Sequence, residues 1–316
     1  MQANHWPTVA VVGAGAVGCY FGGMLARSGV PVKLIGRAPH MEAIARDGLL
    51  LDRMRVHQRI PMAATTSLED GVRDAGVILF CVKTVNTETA ARELQPFLAP
   101  KAALLSFQNG ADNADRIYSA IHRHAVPVAV YVAAEMTAPG HVTHTGRGDL
   151  VMGHRAGWPP EPDLKPLAAM FEQAEIPCRI SGAIETELWT KMVMNCAYNA
   201  ISALTRARYG RLIQFAPVRA VAERAIAETV AVARADGVSL SESAMVEAAL
   251  QLGEKMSGAT SSTAQDIARG RPTEIDSLNG YVARRAAALG IATPVSDTLY
   301  ALVKLLEESG VNRRSG

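Results

Sequence analysis

Val9-Ala10-Val11-Val12-Gly13-Ala14-Gly15-Ala16-Val17-Gly18 decides how the rest of the chain is read. Four apolar residues, mostly β-branched, predict a strand buried on both faces. The glycines after them, spaced Gly-x-Gly-x-x-Gly, predict a tight turn into a helix over Val17–Ser28, ended by Gly29. In the dinucleotide fingerprint the first glycine permits the turn, the second lets backbone approach a pyrophosphate, and the third lets helix and strand pack closely. Amides at the helix start, with the positive end of its dipole, hold phosphates. Gly13, Ala14, Gly15, Ala16, Val17 and Gly18 are therefore the candidate cofactor-binding residues. A glycine-rich turn without a ligand has the same spacing; the β-rich strand directly before it favours the ligand.

The next strand, Val32–Ile35, separates two cofactors. An acidic residue at its end would hydrogen-bond the ribose 2′-hydroxyl of NAD, whereas this chain continues Gly36-Arg37. A cation there suits the 2′-phosphate of NADP, so NADPH/NADP is the expected cofactor. Arg37 read alone is also an ordinary surface arginine. Further β-rich runs at Val77–Val82, Ala103–Phe107 and Val126–Val132 alternate with helical stretches, which implies a parallel sheet covered on both faces. In such sheets ligands lie beyond the carboxyl ends of strands. That places Lys83, in Cys81-Val82-Lys83-Thr84, and Asn109, in Phe107-Gln108-Asn109-Gly110, among the candidates. Asn109-Gly110 is equally good turn chemistry.

Gly140–Gly146 and Leu150–Gly153 read as extended structure at the sheet edge, with Gly148 and Asp149 in a turn. Trp158-Pro159-Pro160-Glu161-Pro162 reads as a loop, followed by a helix near Leu164–Ala174 and a strand near Cys178–Ile180. From Glu185 onward the patterns are helical, with breaks expected at Tyr209-Gly210, Asp236-Gly237, Gly270-Arg271-Pro272 and Leu289-Gly290. The expected fold is α/β: a Rossmann-type dinucleotide-binding domain over residues 1–182, followed by an all-α C-terminal domain over residues 183–316.

Composition narrows the function classes. The chain has 316 residues, room for two cores, with 49% hydrophobic and 20% charged residues, an ordinary globular balance. A formal net charge of +2 speaks against nucleic acid as main partner, and the Arg313-Arg314 pair reads as solvated. No apolar run is long enough to span a bilayer, and Met1–Pro7 does not read as a signal peptide. Cys19, Cys81, Cys178 and Cys196 stand singly, without metal-ligand spacing, and read as buried reduced thiols of a cytoplasmic protein. His141 and His144 lie in an extended stretch without an acidic ligand cluster, so no metal site is expected.

The second chemical signal is Glu187-Leu188-Trp189-Thr190-Lys191-Met192-Val193-Met194-Asn195-Cys196-Ala197-Tyr198-Asn199. On a helix, residues four apart lie above one another, so Lys191, Asn195 and Asn199 form one polar stripe through an apolar segment, with Glu187 one step earlier. Such a stripe lines a cleft or joins two helices through a buried network. A partly desolvated lysine can act as general acid near neutral pH; Lys191 can also pair with Glu187. Ketone reduction needs a hydride on carbon and a proton on oxygen, and Lys191 is the candidate proton donor.

Together these motifs resemble the ketopantoate reductase family (2-dehydropantoate 2-reductases) over nearly the whole chain. The resemblance includes Gly13-x-Gly15-x-x-Gly18, Arg37, Val82-Lys83, Gln108-Asn109-Gly110, Gly140-x-Val142-x-His144-x-Gly146 and Glu187-Leu188-Trp189-x-Lys191-x-x-x-Asn195-x-x-x-Asn199. It continues with Ser261-Ser262-x-x-Gln265-Asp266 and Thr273-Glu274-Ile275-Asp276-x-x-Asn279-Gly280. It implies Lys191 as general acid with Glu274 beside it, Asn195 and Asn199 on the substrate's hydroxyl and carbonyl region, and Ser262 on its carboxylate. Asn109 would touch cofactor and substrate, and Lys83 the cofactor. Read from the residues, Glu274 after Pro272-Thr273 is equally a capping carboxylate. The implied reaction is NADPH-dependent reduction of 2-dehydropantoate to (R)-pantoate in a cytoplasmic homodimer, with domain closure around the ligands. One departure is Ser257-Gly258-Ala259-Thr260, a smaller and less polar wall than many relatives carry before the serine pair.

Overall fold

The structure, a computed structural model, describes residues 6–53 and 56–312. Met1–His5 and Arg313-Arg314 lie outside the described residues. The chain divides into two compact units: residues up to Gln108 with Asp112–Ile184, and Asn109–Ala111 with the residues from Glu185 onward.

The first unit is α/β. Its strands are β1 (Val9–Val12), β2 (Val32–Ile35), β3 (Leu49–Arg53), β4 (Val56–Ile60), β5 (Ala63–Thr65), β6 (Val77–Phe80), β7 (Ala103–Ser106), β8 (Val126–Ala138), β9 (His141–Met152) and β10 (Cys178–Ile180). Its helices are α1 (Ala16–Arg27), α2 (Ala38–Asp47), α3 (Leu68–Val72), α4 (Thr87–Leu94), α5 (Asn113–Ile121) and α6 (Leu164–Gln173). The sheet runs β4-β3-β9-β8-β7-β6-β1-β2-β5, with β10 beside β9. From β5 to β8 every pairing is parallel. Numbered among themselves, these six strands run 3-2-1-4-5-6, the Rossmann order, whose direction of winding reverses beside β1.

Why β1 is apolar throughout follows from the two cores. Val9 and Val11 pack with Phe21, Met24 and Leu25 of α1 on one sheet face. Ala10 and Val12 pack with Ala91 and Leu94 of α4 and Ile117 of α5 on the other. A central strand covered on both sides cannot alternate polar and apolar residues.

The expected turn at Gly148-Asp149 is corrected. Both residues lie inside β9, which pairs antiparallel with β8 and parallel with β3, so this is no sheet edge. The hairpin turn is instead Pro139-Gly140, where Gly140 takes φ +67°. Register shifts between Tyr131 and Val132 and between Ala133 and Ala134 absorb the irregularity that the glycines signalled. Gly148 is glycine because its φ is +143° and the Tyr20 hydroxyl fills the space a Cβ would take. Three short strands, β3, β4 and β5, have no counterpart in the sequence reading. In β3 and β4 charged residues (Asp52, Arg53, Arg59) mask an alternation in which Leu49 and Leu51 of β3 are buried, and β5 is only three residues long.

The second unit is helical: α7 (Ile184–Thr205), α8 (Tyr209–Gln214), α9 (Ala216–Ala235), α10 (Glu242–Lys255), α11 (Ser262–Ala268), α12 (Asn279–Leu289) and α13 (Pro294–Asn312), with a 3₁₀ turn at Ile275–Ser277. Among its described residues there is no strand. The expected interruption at Tyr209-Gly210 is displaced. These residues begin α8, and the break is residues 206–208, where Arg206 takes φ +56°. Gly210 serves packing instead, since a Cβ there would stand 2.8 Å from Ser257 Cβ.

No helix among the described residues is long and apolar enough to cross a membrane. All four cysteines are unpaired; burial pushes their thiols up, to about 12 for Cys19, Cys178 and Cys196.

Candidate functional site

The glycine turn sits at the carboxyl end of β1, beside the reversal point. Gly13 takes φ +105°, and a Cβ on it would stand 2.7 Å from the Cys81 carbonyl carbon and 2.8 Å from Val82 N. Only glycine fits between the turn and the end of β6. A Cβ on Gly18 would collide with the Gly13 carbonyl oxygen and stand 2.9 Å from Val11 Cγ1, so α1 packs on β1 through this position. Gly15 differs: it is the N-cap of α1, with φ −83°, and no atom lies within 4 Å of a Cβ built there.

Helix α1 has no side-chain cap and no acidic residue in its first turn. The amides of Ala16, Val17 and Gly18 precede the first intrahelical bond, from Cys19 N to the Gly15 carbonyl, and carry the positive dipole end of α1 beside the open space at Gly15. That is the donor set a pyrophosphate requires, and the residues present fit a dinucleotide. Ala14 is buried, and Gly36 after β2 approaches it so closely that a Cβ there would lie 2.8 Å from Ala14 Cβ. Arg37, exposed, is the N-cap of α2 at the end of β2.

Lys83 is half-buried and opens the 3₁₀ turn Thr84–Asn86. The sequence reading overlooked what fastens that loop. Buried Gln108 donates from Nε2 to the Val82 carbonyl at 3.1 Å and to Thr87 Oγ1 at 2.8 Å. Arg116 of α5 donates to the Thr84 carbonyl at 2.8 Å and forks onto Glu88 at 2.7 and 2.9 Å. Its signal was Gln108 itself, a polar residue at the end of a buried strand.

The stripe on α7 is present as expected. Leu188, Trp189, Met192, Val193, Cys196 and Ala197 are buried; Glu187, Lys191 and Asn195 are half-buried; Asn199 is 4% exposed. Lys191 Nζ donates to Asn109 Oδ1 at 2.8 Å, and Asn109 Nδ2 donates to Glu274 Oε2 at 2.8 Å. A cation, an amide and a carboxylate thus form one chain across 82 and 165 residues of sequence separation. Each dipole is aligned with the next, and bonds with an ionised partner are the stronger kind. Glu274 makes no side-chain cap to the turn it begins. The hydroxyl of Thr273 takes that place, accepting from Ile275 N at 3.2 Å.

Ser262 is exposed at the first position of α11. Its neighbour Ser261, which the sequence reading left without a role, is the N-cap. Its hydroxyl accepts from Ala264 N at 3.0 Å and donates to the Asn199 carbonyl at 3.1 Å. The structure therefore joins Lys191, Asn109 and Glu274 directly. It leaves Asn195 half-buried and Ser262 accessible, and it ties Asn199 to α11 through its backbone.

His141 and His144 both lie on β9. His141 Nε2 lies 3.8 Å from Asp52 Oδ2. The His144 ring stacks on Tyr20 at 4.2 Å and its Nε2 meets the Arg147 carbonyl.

Comparison with known proteins assigns both units to one family. The family described as ketopantoate reductase PanE/ApbA matches residues 9–157, and its C-terminal counterpart matches residues 183–307. A 2-dehydropantoate 2-reductase of Halobacterium salinarum is 34% identical over 96% of this chain and 99% of its own length. The chain belongs to the ketopantoate reductase family. It is an oxidoreductase of a dinucleotide-binding kind. The crystal structure of a PanE/ApbA family ketopantoate reductase from Ralstonia eutropha superposes with TM-score 0.89 at 44% identity, covering 96% of this chain and 99% of that one. D-mandelate dehydrogenase, solved with NADH and anilino(oxo)acetate, shares the fold at TM-score 0.90 and 24% identity, over 96% of this chain and 99% of its own.

Proposed function

We propose that this protein reduces 2-dehydropantoate to (R)-pantoate with NADPH, and that the Lys191–Asn109–Glu274 chain carries the proton chemistry. The observation that supports this most is the amide between the two charges: Glu274 orients Asn109, and Asn109 orients the ammonium. The negative end of the chain favours the charged, proton-bearing form of Lys191. When bound, NADPH supplies the hydride to the carbonyl carbon. Lys191 gives its proton to the carbonyl oxygen, so that a ketone becomes a secondary alcohol and the lysine is reprotonated from solvent.

The other candidates divide as follows. The α1 amides at Ala16, Val17 and Gly18, reached past Gly15, hold the pyrophosphate, with Gly13 and Ala14 shaping the turn. Arg37 holds the 2′-phosphate and Lys83 a further part of the cofactor. Asn195 and Asn199 hold the substrate's hydroxyl and carbonyl region, and Ser262 its carboxylate. The enzyme is read as cytoplasmic, which suits its unpaired cysteines, and as a homodimer.

A second reading keeps the chemistry and changes the acid. Ser257-Gly258-Ala259-Thr260 departs from many relatives in being smaller and less polar, which is the residue pattern that favours this reading. Initial rates of NADPH oxidation across a panel of 2-oxo acids distinguish the two. Ketopantoate is expected to give the highest kcat/KM. Another acid ranking far above it replaces the substrate, and oxidation by none of them makes the protein a dinucleotide-binding regulator instead.

A further inference from the structure

The segment carrying Glu274 is fastened from α13. Thr273 N donates to Glu307 Oε1 at 2.7 Å. Lys304 Nζ lies 2.8 Å from Glu307 Oε2 and 3.0 Å from Asp276 Oδ2. Tyr300 donates its hydroxyl to Asp276 Oδ1 at 2.8 Å. From α12, Arg284 holds the Asp276 carbonyl at 2.7 Å. The residue before Glu274 and the residue two after it are thus both tied to one face of α13, at the i, i+4, i+7 spacing of Tyr300, Lys304 and Glu307.

The packing is shaped for these bonds. A Cβ on Gly280 would lie 2.8 Å from Tyr300 Cε2 and 3.1 Å from the Ile275 carbonyl oxygen, so glycine lets the tyrosine ring in beside the turn. Burial pushes the Asp276 carboxyl up, but the hydrogen bonds from Lys304 and Tyr300 outweigh it and hold the group below its ordinary range. The Lys304 ammonium is pushed up, chiefly by its bond to Glu307. Exposed ion pairs contribute little stability. This network instead spends its bonds on two backbone points around a single carboxylate.

We propose that Glu307, Lys304 and Tyr300 are positioning residues that fix the Thr273–Asp276 segment and thereby hold the Glu274 carboxylate on Asn109. The proposal rests on the reading that the Lys191–Asn109–Glu274 chain serves the reaction. Displacing a reacting group by about 1 Å costs on the order of 10²-fold in rate, so the clamp acts on kcat.

Glu307→Leu and Glu307→Gln, each alone and combined with Glu274→Gln, test it. Turnover is followed by NADPH oxidation and the Thr273 amide by hydrogen exchange. Glu307→Leu is expected to lower kcat roughly 10-fold or more, leave the KM for NADPH unchanged and speed Thr273 exchange. Glu307→Gln keeps an oxygen acceptor for that amide and restores both. In the Glu274→Gln enzyme, Glu307→Leu should lower kcat no further. A loss that multiplies in full there overturns the clamp, as does faster exchange at unchanged kcat. Full turnover by Glu274→Gln alone overturns the site reading instead, and the clamp's catalytic role with it. If Glu307→Leu does not fold, Tyr300→Phe, which removes the bond to Asp276, enters the same cycle with kcat as its readout and the same expected signs for kcat.

Discussion

In the α/β unit the candidate ligand surface is made of backbone: the first-turn amides of α1, with no side chain on Gly15 and no side-chain cap before them. In the helical unit it is made of side chains, with Lys191, Asn109 and Glu274 each bonded to the next. The difference follows from the two tasks. A phosphate carries its charge on several oxygens and is held well by fixed dipoles that need no side chain. Proton transfer needs one titratable atom at one place, which only an oriented side chain supplies. Substitutions should therefore act on binding through shape in the first unit and on turnover through chemistry in the second.

The largest effect tests the second half of that contrast. Lys191→Ala is expected to lower kcat by about 10²–10⁴-fold, the usual worth of a positioned acid, while NADPH affinity measured by fluorescence titration stays within a factor of a few. Near-normal turnover would remove the proton-donor role and leave Lys191 a structural partner of Asn109.

The first half is tested by two glycines of one motif. Gly13→Ala places a Cβ against the backbone of Cys81 and Val82 at a positive φ, and overpacking of this kind costs about 1–3 kcal/mol; a lowered Tm is expected. Gly15→Ala meets nothing within 4 Å at an ordinary φ, so its Tm should match the parent while its affinity for NADPH falls. If both variants lose only stability, the first-turn amides of α1 do not hold the phosphates.

The same motif shows how much was legible beforehand. Gly13, Gly15 and Gly18 gave the strand, the turn and the helix together, because a buried parallel strand must be apolar throughout and a close turn must be glycine. The stripe Lys191, Asn195, Asn199 was legible because helical spacing is local. That Asn109 would accept from Lys191 and donate to Glu274 was not, since that pairing depends on tertiary structure joining residues 82 and 165 positions apart. The short strands β3, β4 and β5 were hidden for another reason: the charged residues of β3 and β4 resemble loop, and β5 is only Ala63-Ala64-Thr65. Gly148 misled because glycine marks both turns and close approaches, and here it makes room for Tyr20.

Cofactor choice gives a smaller effect. Arg37→Asp should move the ratio of kcat/KM for NADPH over NADH toward NADH by roughly 10-fold or more, since a hydrogen bond to a charged group contributes about 1.5–3 kcal/mol and about 1.4 kcal/mol is tenfold. An unchanged ratio would mean that the 2′-phosphate is recognised elsewhere, and that Arg37 at the cap of α2 is only a surface residue.

The smallest effect probes whether the α/β unit also depends on a titrating side chain. His144 is 4% exposed, stacked on Tyr20, with Nε2 on the Arg147 carbonyl and Nδ1 buried without a partner. Burial lowers its pKa from the ordinary value, with the Arg53 charge adding to that and the Arg147 bond opposing it. In the unfolded chain the ring titrates near about 6.5. Above that pH both states are neutral and the residue adds no pH dependence. As pH falls below it, the unfolded chain takes up a proton that the fold resists, and stability declines until the lowered folded pKa is passed. Thermal unfolding between pH 7.5 and 5 should therefore fall more steeply for the parent than for His144→Phe, by at most about 1.4 kcal/mol per pH unit. Phenylalanine keeps the stack on Tyr20, so turnover at pH 7.5 should be little changed. Equal slopes would show that the ring does not sense pH. A large loss of kcat at neutral pH would break the contrast itself, because a side chain of the α/β unit would then be serving the chemistry.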